Sequence, residues 1–189
     1  MRTNTLPLTL AALAAAALLA SGLPEIEVRW DSGQLRIAAP KLRFLAGKTV
    51  ERLRAGESVR YEFRVSLIDA DRRREQSIAI EKMSVSYDLW EERYYTASLT
   101  RRGVSARSKT PEEAQRWMLG QLPAPAADRE RRYRLRLEIV RERPPKEEEY
   151  GLNLTRLVEI FSRKIEPEPA RWTAESHDFR LRDLEAKAK

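Results

Sequence analysis

The chain has 189 residues, with 36 lysines and arginines against 29 acids, a formal charge of +7, one histidine and no cysteine. This excludes disulfide staples and lipid attachment through a thiol, and it removes the usual ligands of a structural zinc site. The basic residues interleave with acids, and no basic patch carries interleaved aromatic motifs, so no nucleic-acid partner is expected.

Arg2 precedes an almost uninterrupted apolar run from Leu6 to Ala20, and Ala20-Ser21-Gly22 supplies small residues for cleavage. That order is the order of a secretory signal. Residues 1–22 are expected to be an export signal, with an uncleaved anchor as the alternative, because the run falls short of the ~20 residues of a membrane span. The mature chain is then periplasmic or secreted, or anchored in the inner membrane and facing the periplasm. Any membrane contact is expected only through this leader. Residues 23–185 are read as a single β-rich domain, and 186–189 as a frayed basic tail.

Ile26, Val28 and Trp30 alternate with Glu25, Glu27 and Arg29, and a turn at Asp31-Ser32-Gly33 leads to Leu35 and Ile37. This spacing predicts a hairpin. Ala46, Val50 and Leu53 have helical spacing, and Gly56 follows as a left-handed stop. Val59, Tyr61, Phe63, Val65 and Leu67 then alternate with Arg60, Glu62, Arg64 and Ser66, the pattern of a half-buried antiparallel strand. Residues 69–76 read as a charged turn. Ile78 and Ile80 precede a strand with Met83, Val85, Tyr87 and Leu89. An aromatic, acidic corner spans residues 90–95, with Asp88 fixing the strand end and Trp90 packing over it. Tyr95, Ala97 and Leu99 begin the return strand.

Thr110-Pro111-Glu112-Glu113 carries a cap, a proline in the first turn and a capping-box acid, so it opens a helix. Ala114, Trp117, Met118 and Leu122 form its apolar stripe, and Pro123 and Pro125 end it. Tyr133, Leu135, Leu137 and Ile139 form another alternating strand. After Pro144-Pro145, an amphipathic helix is predicted from Leu154, Leu157, Val158, Phe161 and Ile165. Trp172, Ala174 and Ser176 begin a closing strand. Phe179 and Leu181 have the opposite parity, which predicts a bulge at His177 or Asp178. The fold class expected is mainly β, an antiparallel β-sandwich-like domain with two or three short helices.

Candidate chemistry is sparse. His177 has no cysteine to activate, and it reads as a bulge residue. Asp69 and Asp71 are close enough to suggest calcium, but Arg72, Arg73 and Arg74 compete for them. Glu91 and Glu92 are adjacent and so point to opposite faces, which does not suit a pair flanking one glycosidic bond. No catalytic residue, metal site or cofactor is expected. Two binding surfaces are. The first is the corner with Trp90, Glu91, Tyr94 and Tyr95, whose aromatics suit an interface anchor. The second is the helix face with Leu154, Leu157 and Phe161, which would pack on the sheet or meet a ligand or membrane surface.

Several segments together resemble the bacterial exported family of unknown function DUF4390. They are the leader, the first hairpin, Val50-Glu51-Arg52-Leu53-Arg54-Ala55-Gly56 before the long strand, Tyr87-Asp88 with Tyr95, the helix from Glu113 to Leu122, and Trp172 with Ser176. The resemblance implies an envelope protein and supplies no catalytic residue. The expected function is a non-enzymatic protein-binding or assembly factor whose partner is an envelope protein or a lipid. One alternative is a carrier of an apolar or lipid ligand lined by Tyr61, Phe63, Val85, Tyr87 and Phe161. The other is a cell-wall or glycan hydrolase, which needs two acids converging from different strands.

Overall fold

The computed structural model describes residues 25–31, 34–125, 127–142 and 171–187. Its elements are β1 (Glu25–Asp31), β2 (Gln34–Ala38), α1 (Lys48–Arg54), β3 (Val59–Asp69), β4 (Arg74–Asp88), β5 (Arg93–Ser98), β6 (Ser105–Ser108), α2 (Pro111–Gly120), β7 (Arg132–Arg141), β8 (Arg171–Ser176), β9 (Phe179–Arg180) and α3 (Leu181–Lys187). The chain is mainly β with a few short helices. Its strands join into one mixed sheet of order β2-β1-β8-β7-β3-β4-β5-β6, with β9 also paired to β7. Among the described residues every strand pair is antiparallel except β1 with β8, where β8 enters between β1 and β7. Helix α2 touches β2 at one end of this order and β5 and β6 at the other. The sheet therefore curls around a single core, and a helix spans the gap between its edges.

The spine is β3. Val59, Tyr61, Phe63, Val65 and Leu67 all point inward and are buried. Burial of side chains of this size is worth about 1.5–3 kcal/mol each. Tyr133, Leu135, Leu137 and Ile139 of β7 continue the same inner surface. A bulge shifts the β3–β4 register between Leu67 and Ile68, from Leu67 opposite Ser77 to Ile68 opposite Glu75. The shift turns Glu75 to the outer face, where the Arg64 guanidinium bonds it at 3.1 Å. Along β7 the outer arginines also meet acids. Arg132 reaches Asp71 at 2.8 Å, Arg134 reaches Asp178 at 3.0 Å and Arg136 reaches Glu175 at 2.7 Å.

The inner face is filled by the segment before α1. Phe44 packs edge-on against Tyr61 and Phe63, with ring centroids 5.1 and 5.6 Å apart, and Trp172 closes the cluster. The Tyr61 hydroxyl donates to the Phe44 carbonyl at 3.1 Å. Gln115 of α2 fixes the same segment. Its amide donates to the Leu42 carbonyl at 2.6 Å, and its oxygen accepts from the Phe44 and Leu45 amides at 3.1 and 3.4 Å.

The helix ends follow their sequence signals. Gly56 stands at φ +87°, its amide bonding the Leu53 carbonyl while the Glu57 amide bonds that of Arg52, the two bonds of a Schellman motif. Thr110 accepts from the Glu113 amide at 3.2 Å. Glu113 reaches back one residue further than a capping box requires, to the Lys109 amide at 2.9 Å.

The closing strand carries the anticipated bulge. Arg136 pairs with Glu175 and Tyr133 with Phe179, a slip of one residue across His177 and Asp178. The Ser176 hydroxyl fills the broken ladder, accepting from the Leu135 amide at 2.9 Å and donating to the His177 carbonyl at 2.8 Å. Beyond it the chain forms α3 through Lys187, and the last two residues of the basic tail lie outside the described residues. The leader and the predicted helix at 154–165 lie outside the described residues.

Candidate functional site

The β4–β5 corner is a rigid turn. The Asp88 carboxylate accepts from the Trp90 amide at 2.8 Å and the Glu91 amide at 3.0 Å. Bonding from Glu91 and then Trp90, with Arg107 nearby, holds its pKa below the ordinary carboxylate value. Glu92 takes the left-handed conformation at φ +52°. Arg107 grips both Glu91 oxygens, at 3.2 and 3.0 Å, and braces the turn against β6. A hollow of about 270 Å³ lies beside it, bounded in part by Tyr87, Arg93 and Tyr95.

Three of the four residues expected at this surface are there. Trp90 is 97% exposed and Leu89 60%, so Trp90 stands out from the strand end instead of packing over it. Tyr95 is 42% exposed, and Glu91 is also on the surface. Tyr94 is a correction. It is 1% exposed and belongs to the core, with its ring 4.9 Å from that of Tyr87. The turn pairs Tyr87 with Tyr94 and Val85 with Thr96, so the even positions of β5 face inward. The Tyr94 hydroxyl is buried without a hydrogen-bond partner among the described residues.

The second predicted face, with Leu154, Leu157 and Phe161, lies outside the described residues. Of the residues proposed to line an apolar ligand cavity, Tyr61, Phe63 and Val85 are fully buried in close-packed core. Tyr87 is half-buried against Tyr94, under the Arg54 guanidinium. Asp69, considered for calcium, instead binds its own turn. Its carboxylate accepts from the Arg72 amide at 2.9 Å and the Asp71 amide at 3.0 Å, and these bonds, that of Arg72 first, hold its pKa low. Among the described residues no three acids or histidines converge as a metal site. His177 is exposed at the bulge.

The opposite end of the sheet holds a cleft that the sequence reading missed. It measures about 700 Å³ and lies between the Trp30 end of β1 with the start of β2, the end of α2 and the segment after it. Trp30 and Gln34 form one side, residues 120–125 another, and Leu35 and Leu181 add apolar surface. Two arginines enter it. Arg36 donates to the Gly120 carbonyl at 3.1 Å, and Arg101 donates to the next carbonyl, Gln121, at 2.7 Å. Behind Arg101 lies Glu81, 2% exposed, accepting from the Arg101 Nε at 3.1 Å and the Ser98 hydroxyl at 2.6 Å, with the Thr100 hydroxyl as a third donor. The sequence did hold one signal for it: Glu81 shares the parity of Met83 and Val85 and is an acid on a core-facing row.

No family model, curated protein or solved structure matches this chain.

Proposed function

We propose that this is an exported envelope protein that works by binding, as a protein-binding or assembly factor anchored through its Leu89–Trp90 corner. One observation carries the reading. An indole that is 97% exposed sits on a turn fixed by Asp88 and Arg107, next in sequence to exposed Leu89 and on the same β4–β5 hairpin as exposed Tyr95. Large aromatics at interface centres supply much of the binding energy, and a turn whose backbone is already fixed loses less entropy on docking. The leader and the resemblance drawn from the sequence support an envelope address.

The test uses a photo-crosslinking side chain at position 90, with exposed Arg102 as the control position, in cells producing the full chain. An adduct of one defined mass from position 90 that is absent from position 102 and lost in Leu89→Ser is the expected result. Trp90→Ala should change stability by no more than about 0.5 kcal/mol, because the side chain packs on nothing. Equal labelling at both positions, or none at position 90, would reject the corner as the binding surface.

A further inference from the structure

We propose that the cleft between the first residues of β2 and the end of α2 binds the C-terminal carboxylate of an extended peptide whose last residue is apolar. The cleft lies at the end of the sheet away from Trp90, so the proposal stands apart from the corner. At about 700 Å³, it falls within the ~300–1,000 Å³ typical of built ligand sites.

The donors come first. Arg36 and Arg101 bond consecutive carbonyls of the α2 terminus, so both guanidinium groups are tied to the same helix end. A helix C-terminus alone repels an anion, since its dipole presents partial negative charge. Here each guanidinium already has an acid beside it, Arg101 the buried Glu81 and Arg36 the Asp31 carboxylate at 3.8 Å, so what the two offer an incoming carboxylate is the N–H groups that these acids and the two carbonyls leave over. A carboxylate is the group that forked arginines recognise best.

Arg101 is not a casual surface side chain. Glu81 is buried, and burial of a carboxylate is costly unless donors satisfy it. Ser98, Thr100 and Arg101 all serve it, and the Arg101 amide also bonds the Ser98 hydroxyl at 2.8 Å. The result is a guanidinium plane fixed from behind by Glu81 and from the side by Gln121. This is how a binding group is pre-oriented.

The facing wall sets the rest of the ligand. Pro123 and Pro125 have no amide N–H, and among the described residues no donor reaches the carbonyls of residues 122–125. The backbone of that segment therefore carries more unpaired acceptors than donors. A ligand that fits both walls brings a carboxylate for the arginines and N–H groups for the carbonyls, as the last residues of a peptide do. Trp30, Leu35 and Leu181 supply apolar surface for its final side chain.

The experiment is an NMR titration of the full chain, reading the Trp30 indole N–H, which Trp30→Phe assigns. The probes are an N-acetylated tripeptide of two alanines and a C-terminal leucine, its C-terminal amide, and decanoate. Saturable shifts with the acid are expected, weaker by about tenfold or more for the amide and for Arg36→Gln. Arg101→Lys keeps a cation beside Glu81 but loses the fork, so it should weaken binding with little loss of thermal stability. Equal binding of acid and amide, or unchanged affinity in a folded Arg36→Gln, would overturn the proposal. Decanoate binding as tightly as the peptide would overturn its peptide part, and no shift with any probe would overturn it whole.

Discussion

Gln115 is a polar residue on the inner face of α2, yet it is among the residues with most influence on the core. It is buried, and its amide group serves three backbone groups of the segment that carries Phe44. Gln115→Ala would leave those groups unpaired away from water, so a loss of about 2–4 kcal/mol is expected in urea unfolding. A loss below about 0.5 kcal/mol would mean that the segment finds other partners. Asp69 and Asp88 act at the same scale on acid stability. Both have folded-state pKa values below the ordinary 3.8, chiefly through bonds from the backbone amides of their own turns. A lowered pKa stabilises the fold above the unfolded value and loses that effect as pH falls through the folded one. Stability should therefore decline below pH 3.8, and the double variant Asp69→Asn, Asp88→Asn should decline less steeply there. An unchanged acid limb in circular dichroism would show that other carboxylates control it. Glu81 marks what one residue's position can reveal. Its inward parity was legible, but its partners were not, because Ser98, Thr100 and Arg101 lie across a chain reversal.

Elements were legible where one period ran unbroken. In β3, five apolar residues alternate with polar ones, and their burial follows that alternation. In β7, the same holds from Tyr133 to Ile139. The bulge after Ser176 was legible because it breaks parity between Ala174 and Phe179. The face of β5 was not. Tyr94 and Tyr95 are both aromatic, so alternation does not choose between them, and the choice is made by turn geometry at Asp88 and Glu92. The stop of α1 needs a left-handed residue to make its two Schellman bonds. Gly56 sits at φ +87°, with no atom within 4 Å of where a Cβ would lie. Gly56→Ala meets no steric contact, and the left-handed strain alone should cost about 1 kcal/mol. Gly120, the last residue of α2, lacks a positive φ and is equally uncrowded. Gly120→Ala should stabilise by about 0.5 kcal/mol through helix propensity and a less free unfolded chain. Paired melts of the two variants should therefore move in opposite directions. A fall in both would mean that the end of α2 tolerates no methyl group.

At the scale of the whole molecule, the sheet formed by the described residues has β2 and β6 at the ends of its pairing order, far from each other and from the β3 spine. Edge strands of an open sheet fray independently and invite pairing with other chains. Here α2 touches both edges, and its buried residues Ala114, Gln115, Met118 and Leu119 face the shared core. The sequence did not disclose this arrangement, because it joins residues 34–38 to residues 105–120 through a helix that reads as an ordinary amphipathic one. The cleft was hidden for the same reason, since its walls come from the first hairpin, from Arg101, from the end of α2 and from Leu181. If α2 closes the curl, weakening the helix releases both edges together. Thr110→Ala removes the hydroxyl that accepts from the Glu113 amide and should cost about 1 kcal/mol. Local opening shows as faster amide exchange in the segments that share the opening unit. Exchange should therefore rise in α2, β2 and β6, while the β3 and β7 amides keep rates set by global unfolding. Acceleration in α2 and β6 with β2 unchanged would show a helix that merely caps the nearer edge, and the sheet would then be open on the side of its first hairpin.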